Sequence, residues 1–204
     1  MDRYAKLIEG SVEFAPKNKG SIINYDLDVE AMIADGYKLF IPAEIPITNR
    51  MYHYEYVENT DNITEVVVYD ETQEEADARE LKNAKETKYS EALIKANDFA
   101  INGSVEYKNC EFEMSTSNRN NLRDTEEALR ELGQQTTIWN DKNDVLVELT
   151  VDELKYIRLN LILARIQQLW IVQYPHYKDL IEEASTVEQV NNIDIDYSVV
   201  PNEE

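Results

Sequence analysis

The chain has 204 residues, of which 43% are hydrophobic and 30% charged, so it is long enough to bury a core of its own. Its 41 acidic residues against 20 lysines and arginines give a formal net charge of -21, which argues against binding to nucleic-acid phosphates or to an anionic membrane surface. The single cysteine, Cys110, excludes an internal disulfide, and we expect neither a secretory signal nor membrane insertion, because no apolar run has the required length.

The first part of the chain, residues 1–70, predicts a β-rich N-terminal module. Short runs of alternating apolar and polar residues, separated by turns that contain Gly or Asn, are typical of hairpins. Gly36 follows a short helical pattern and is placed to end it in a left-handed conformation. The predicted elements are a hairpin (4–8 and 12–14), a helix (28–34), a strand (38–41) and a second hairpin (52–57 and 63–69).

Residues 71–100 predict a helical connector. Thr72 and Glu75 have the spacing of a capping box, in which a hydroxyl and a carboxylate cap the first helical turn. The residues from there to Lys88 include few large apolar side chains, so we expect this half of the helix to be exposed. The second half contains Tyr89 and Phe99, and we expect it to dock on the region that follows.

The region 101–195 predicts a helix-rich module with short hairpins, and the chain as a whole is expected to have the α+β fold class. Thr150 and Glu153 form a second capping box at the start of the longest predicted helix, and Gly133 is placed to end the helix before it. We expect the acidic tail, residues 196–204, to be loose. The predicted elements are two hairpins (105–107 with 110–114, and 137–139 with 145–149) and helices at 122–132, 150–173, 175–184 and 186–193.

Two sets of apolar side chains run along different sides of the longest predicted helix. A helix that packs on one side of a small domain needs only one such stripe, so the second indicates either a central core helix or a face reserved for a partner subunit. We expect Arg158 and Arg165 to pair with carboxylates of this chain or across a subunit boundary. The first stripe consists of Leu154, Ile157, Leu161 and Val172, and the second, the candidate interface, consists of Leu159, Ile162, Leu163, Ile166 and Trp170.

Tyr52, Tyr54 and Tyr56 alternate along one predicted strand and share a face with Tyr69 of its neighbour. Such a face is a candidate platform for a host-surface glycan or for a protein partner. The alternative is an ordinary sheet face that the connector helix half covers. This alternative is favoured, because tyrosine is a common strand residue that usually packs against neighbouring side chains.

Side chains in patterns that support catalysis or metal binding are sparse. His53 and His176 lie in different halves of the chain, and neither has a second His or a Cys at metal-ligand spacing. The five glycines form neither a phosphate-binding loop nor a dinucleotide fingerprint. Adjacent glutamates on a helix point roughly 100° apart, so they do not converge as an acid–base pair must. We therefore predict no catalytic residue, no metal and no cofactor.

A series of short motifs follows in order between residues 83 and 193. The motifs are Phe99-Ala100-Ile101-Asn102-Gly103, Phe112 with Met114, Ser117-Asn118-Arg119-Asn120-Asn121-Leu122, Trp139-Asn140-Asp141-Lys142-Asn143, Leu149-Thr150-Val151-Asp152-Glu153-Leu154, Arg165 with Trp170, and Ile181-Glu182-Glu183-Ala184-Ser185-Thr186-Val187-Glu188-Gln189-Val190. Their order and spacing resemble the domain at the C-terminus of many phage and prophage tail-fibre-associated proteins.

This resemblance implies a non-enzymatic structural protein of the bacteriophage virion, made in the host cytoplasm and located in the tail. Because the sequence lacks the long repetitive shaft of a fibre, a baseplate, tail-collar or fibre-attachment component is expected rather than a free-standing fibre. The expected partners are other phage tail proteins and copies of the chain itself. The alternatives are a fibre-assembly chaperone that is absent from the mature particle and an accessory protein that binds a host glycan or receptor.

Overall fold

The computed structural model describes residues 2–199 and has the predicted α+β fold class. The chain divides into two compact units, of which the first ends at Arg79 and the second begins at Glu80. This division falls within a single helix, α2 (Gln73–Asn102), which corresponds to the predicted connector. Residues 200–204 of the predicted acidic tail lie outside the described residues.

The first unit is built on one mixed sheet. Its elements are β1 (Arg3–Ile8), β2 (Ser11–Phe14), a 3-10 turn (Tyr25–Leu27), α1 (Val29–Ala34), β3 (Lys38–Ile41), β4 (Tyr52–Glu58) and β5 (Asn62–Tyr69). The strands lie in the order β2-β1-β3-β5-β4, with β3 and β5 parallel and the other neighbours antiparallel. Within residues 2–79, β2 and β4 are therefore the edge strands, and the two predicted hairpins are confirmed.

Local signals set the limits of α1. The Asp28 side chain accepts a hydrogen bond from the backbone N–H of Ala31 (3.1 Å) and caps the helix. Gly36 has a φ of 86°, a left-handed conformation that glycine adopts without a Cβ clash, and it follows the helix end as predicted.

Two small apolar clusters form the core of the first unit. One contains the buried residues Ala5, Phe40 and Ile63, and the other contains Tyr25, Met32 and Tyr37 with Tyr4 against them. Because Tyr4 and Ala5 are adjacent in β1, these clusters lie on opposite faces of the sheet.

The second unit combines two hairpins with helices. Its capping signals are as predicted: Thr150 and Glu153 form the capping box, and Gly133, with a φ of 67°, ends the helix before it. That helix begins earlier than predicted, because Ser115 provides an N-cap for it. Beyond α2, the elements are β6 (Ser104–Tyr107), β7 (Cys110–Glu113), α3 (Thr116–Leu132), β8 (Thr136–Asn140), β9 (Leu146–Thr150), α4 (Val151–Tyr156), α5 (Ala164–Gln168), α6 (Tyr174–Glu183) and α7 (Val187–Asn191).

The segments between α4, α5 and α6 are π-helical, so residues 151–183 form one helical run. The two π segments are Ile157–Leu163 and Leu169–Gln173, and the backbone stays right-handed helical at every junction. In a π turn, residues five apart share a face, so each later residue of the run lies on a different side from the one that an α-helical count predicts. Ile157 and Ile162 are both fully buried for this reason, although an α-helical count places them on different sides.

The prediction of two separate stripes on this helix is therefore wrong. Ile162, which was assigned to the second stripe, is in the same buried cluster as Leu154 and Ile157 of the first. Val172, assigned to the first stripe, is 45% exposed. The buried side of the run continues instead through Leu169 and on into α6.

Two large clusters form the core of the second unit. The first joins the β6–β7 hairpin, α3, β9 and the start of the helical run, and its fully buried members include Phe112, Leu122 and Leu154. The second joins α2 to the end of the run, where Ala92 and Ala96 pack with Leu169 and Ile181. These alanines confirm that the second half of the connector helix docks on the region after it.

Residues 195–199 contradict the prediction of a loose tail after residue 195. Ile195 and Tyr197 are each only 3% exposed and belong to the second cluster. The Tyr197 hydroxyl donates to the backbone carbonyl of Ala92 (3.1 Å), and the Tyr177 hydroxyl donates to that of Asp196 (3.0 Å). The acidic residues of this segment predict exposure, but burial of the apolar side chains of Ile195 and Tyr197 stabilises its contact with the second cluster.

Candidate interaction surface

Alternation along the edge strand β4 places Tyr52, Tyr54 and Tyr56 on one face of the first unit's sheet, as predicted. Tyr69 of β5 lies directly opposite Tyr52 in register and joins them. We call these four residues the tyrosine face. The three tyrosines of β4 are half-buried, and Tyr69 is 40% exposed.

The tyrosine face has two parts with different surroundings. Tyr56 lies at the end nearer the core. Its side chain packs against the cluster around Ile63, and its ring centroid is 6.4 Å from that of Phe40. Tyr52 lies at the other end and contacts Tyr54 and Tyr69, at centroid distances of 5.6 and 6.4 Å. Tyr56 is thus mainly a core residue, and the other three tyrosines are the part that a partner can reach.

The rings at the accessible end stand edge to face. The interplanar angle is 82° between Tyr52 and Tyr54 and 71° between Tyr52 and Tyr69. The Arg50 guanidinium lies over the Tyr69 ring, 3.7 Å from its centroid, in a cation–π contact. These rings therefore form a corrugated surface with a positive group at its margin rather than a flat platform.

Polar contacts around Glu71 fix Arg50 in this position. The Arg50 Nε–H donates to the Glu71 carbonyl (2.8 Å), and the Met51 N–H donates to the Glu71 carboxylate (2.6 Å). Arg79 also donates to that carboxylate (2.8 Å) and to the carbonyl of Asn49 (2.7 Å). The hydrogen bond from Arg79, followed by that from Met51, holds the pKa of Glu71 below its ordinary value.

A loop between β3 and β4, residues 42–51, leads into the tyrosine face and exposes apolar side chains. Its first part is tied by the Ala43 N–H, which donates to the Glu65 carboxylate opposite Tyr56 (3.2 Å). Between these tied ends Ile47 is fully exposed and Ile45 is 78% exposed. We call residues 42–51 the isoleucine loop.

His53 lies on the opposite face of β4 from the tyrosines. Its Nδ1 is 2.7 Å from a carboxylate oxygen of Asp70, and its Nε2 is 3.4 Å from one of Glu55. Hydrogen bonding to Asp70, and then to Glu55, raises the pKa of His53 above its ordinary value, although all three side chains are substantially exposed. The ring is therefore held by carboxylates on a solvated face. His176 belongs to the second unit and is also exposed.

The structure separates the five residues of the candidate interface. Ile162 is fully buried in the core of the second unit and is not available to a partner, which corrects its assignment. Ile166 and Trp170 are half-buried and pack against the two clusters of that core. Leu159 and Leu163 are half-buried as well, and they line a pocket that is described below. For these four residues, a role in subunit contact stays a prediction.

Both arginines of the helical run find partners within the second unit. The Arg158 Nη2–H donates to the Glu126 carboxylate (2.9 Å), which confirms pairing with a carboxylate of the same chain. Arg165 donates to the side-chain oxygen of Gln173 (2.6 Å) and to the carbonyl of Tyr197. Burial lowers the pKa of Arg165, and no carboxylate of the described residues lies within salt-bridge distance of it.

Over residues 2–199, no helix combines the length and apolar character needed to cross a bilayer. In the same range, the structure brings together no group of three or more His, Cys, Asp or Glu side chains in a metal-binding arrangement. In comparisons with known proteins, no family model, no curated protein and no solved structure matches the chain.

Proposed function

We propose that the chain is a non-enzymatic structural protein of a bacteriophage or prophage tail, in the baseplate, collar or fibre-attachment region. It acts by assembling with copies of itself and with other tail proteins. The motifs between residues 83 and 193 support the tail assignment, and all of them fall within the second unit.

The exposed apolar and aromatic surface of the first unit is the observation that carries the assembly role. We define this docking surface as Ile45, Ile47, Tyr52, Tyr54 and Tyr69. Exposed apolar side chains that are clustered, unlike scattered ones, are characteristic of protein interaction sites. Tyrosine with a neighbouring arginine is also the composition enriched at such sites.

The ring geometry favours a protein partner over a glycan. A sugar stacks on an open aromatic face, whereas Arg50 already covers one face of the Tyr69 ring. The edge-to-face arrangement of Tyr52 and Tyr54 suits interdigitation with irregular side chains instead. Ile45 and Ile47, in the loop that leads into β4, add side chains that contribute only by burial against apolar atoms.

Mass spectrometry of purified tail particles, from the phage or prophage that encodes the chain, tests the proposal. We expect the chain at a fixed stoichiometry relative to other tail proteins, retained after density-gradient purification. Its presence in infected-cell lysate but absence from the particles would support the assembly-chaperone alternative. A particle preparation from a strain that lacks the coding sequence is the control for carry-over.

A further inference from the structure

A pocket of about 200 Å³ lies between α3 and the first π segment of the second unit. Three arginines contribute to its wall: Arg119 and Arg123 from α3, and Arg158 from the π segment. Thr116 and Asn120 of α3 add polar groups, and Leu159 and Leu163 form an apolar side. The volume is sufficient for a small oxyanion together with water.

The concentration of arginines in this pocket is unexpected for so acidic a chain. The sequence contains twice as many acidic as basic residues, yet no acidic residue lines this pocket. Three other pockets of the protein each include a carboxylate, from Asp152, from Asp98 and Asp196, and from Asp61. Arg119 and Arg123 are also one helical turn apart, a spacing at which like charges destabilise a helix.

The guanidinium groups of this pocket retain unused hydrogen-bond donors. Arg119 donates through Nη2 to the Thr116 hydroxyl (2.9 Å), and Arg158 donates through Nη2 to Glu126 (2.9 Å). The Nε–H groups of both arginines are buried and find no acceptor among the described residues. Arg123 donates to the Asp124 carboxylate through Nε and Nη2, which are on one edge of its guanidinium group. The Nη1 groups of all three arginines also have no acceptor among the described residues, and an anion in the pocket would accept from such Nη–H donors and reduce the repulsion between the guanidinium groups.

We propose that this arginine pocket binds an oxyanion, a phosphate or a carboxylate group, between Arg119, Arg123 and Arg158. Planar guanidinium groups recognise both kinds of anion through paired N–H donors. The leucines on the other side accommodate the apolar carbons that carry such a group. This inference does not depend on the proposed tail role.

Titration of the protein with inorganic phosphate and separately with citrate, each against chloride at constant ionic strength, tests the proposal. The ¹⁵N–¹H signals of the arginine Nε groups report directly on the site. We expect saturable shifts of the Arg119 and Arg158 signals with at least one of the two anions. Binding of phosphate alone or of citrate alone would identify which group the site selects, and binding of both would show an oxyanion site of broad specificity.

Arg123→Gln is the test variant, because its side chain is exposed and its hydrogen bonds within the described residues go only to the neighbouring Asp124. Loss of its charge-assisted hydrogen bonds should weaken anion binding about tenfold. Lys178→Gln is the control, with the same change of charge at an exposed position of α6 in the same unit, outside the pocket. We expect Lys178→Gln to leave the affinity unchanged. Absence of saturable shifts with both anions, or equal weakening by both variants, would overturn the proposal.

Discussion

The two units of the chain differ in how they dispose of their apolar side chains. The second unit encloses Phe112, Leu122 and Leu154 within large continuous clusters, whereas the first unit has only small clusters on either face of its sheet. Both units expose some aliphatic residues. The second unit also exposes neighbouring aliphatic residues, such as Leu93 with Ile94 on α2 and Ile171 with Val172 in the second π segment. In the first unit, Ile45 and Ile47 occur in the loop that leads into the tyrosine face.

Under the proposed function, we interpret this difference as two roles, a stable core in one unit and partner binding in the other. Burial against a partner removes exposed apolar side chains from water, which is favourable for the isoleucines of the loop and for the accessible tyrosines that follow them in the chain. The large clusters give the second unit an extensive core of its own, and under the proposed function the first unit provides the binding surface. Substitutions in each unit test this difference.

The largest expected effect is in the core of the second unit. Ile162→Ala removes a fully buried side chain from the helical run and should lower the free energy of unfolding by about 2–5 kcal/mol. Ile171→Ala, in the same run but 71% exposed, should change it by less than about 0.5 kcal/mol. Both tryptophans, Trp139 and Trp170, belong to the second unit, so their fluorescence in a urea titration measures its stability. Similar small effects of both variants would contradict the assignment of Ile162 to the core.

The next largest change in the free energy of unfolding is expected in the turn between β8 and β9. Asp141 is buried, and its carboxylate accepts from the backbone N–H groups of Glu111 (3.0 Å), Asn143 and Val145 (both 2.8 Å). Burial opposes its ionisation, but these three hydrogen bonds outweigh that effect and hold the pKa of Asp141 below its ordinary value. Asp141→Asn puts an N–H₂ group against one of these donors and should cost about 1–3 kcal/mol in urea unfolding.

Asp144→Asn is the matched control for Asp141→Asn. Asp144 lies in the same turn but is exposed, and its φ of 60° suits asparagine equally well. We expect the free energy of unfolding of the Asp144→Asn variant to stay within about 0.5 kcal/mol of the wild-type value. If Asp141→Asn is equally neutral, Asp141 does not join the two hairpins as its contacts indicate.

Glu153 gives the second unit a pH-dependent contribution to stability. The hydrogen bond from Lys108, followed by that from the Thr150 N–H, lowers the pKa of Glu153 to about 2. A carboxylate with a depressed pKa stabilises the fold above its unfolded pKa of about 4.3, and this stabilisation is lost as the pH falls toward 2. Glu153→Gln should therefore cost about 2 kcal/mol at pH 7, with the gap to the wild type closing between pH 4.5 and 2.

Urea unfolding over a pH series measures this gap. Glutamine at position 153 can still reach back to the Thr150 N–H, so the capping geometry is retained while the charge is removed. Glu131→Gln, at an exposed position of α3, is the control and should differ little from the wild type at any pH. A gap for Glu153→Gln that is constant with pH would show that its charge is not the source of the stabilisation.

The smallest expected effect on folding, with a clear effect on association, is in the isoleucine loop. Ile47→Asp should change the free energy of unfolding by less than about 0.5 kcal/mol, because the side chain is fully exposed. It should weaken self-association at least about tenfold, since a charge would be buried at the docking surface. Ile23→Asp alters an isoleucine that is 77% exposed in another loop of the same unit and should leave association unchanged. Sedimentation velocity over a dilution series distinguishes these outcomes.

Much of the fold follows from signals that act over a few residues. Sequence patterns correctly predict the elements that depend on local geometry. These are the β1–β2 and β4–β5 hairpins, the capping boxes at Thr72 and Thr150, and the helix ends at Gly36 and Gly133. The α+β fold class follows from the same signals.

The features that sequence patterns miss depend on distant contacts. The phase of the long helical run changes at its π segments, which no local motif marks, so the stripe containing Ile162 is misplaced. The burial of Tyr197 depends on Ala92, more than a hundred residues earlier in the chain. In the docking surface, alternation predicts Tyr52 and Tyr54, but the course of the isoleucine loop depends on its contacts with Glu65 and Glu71.

Arg50 and the isoleucines of the docking surface illustrate the same limit. An arginine two residues before alternating tyrosines, and isoleucines on either side of Pro46, are visible in the sequence as single features. Their combination into one surface requires the strand register that places Tyr69 next to Tyr52 and under Arg50.

The central claim, that the chain assembles through its first unit, is tested most directly by the solution mass of the purified protein. Multi-angle light scattering over a concentration series gives this mass, which for one chain is 23.7 kDa. We expect a stable multiple of that value, and Ile47→Asp should reduce it toward the mass of one chain. A mass of one chain at every concentration would contradict self-assembly.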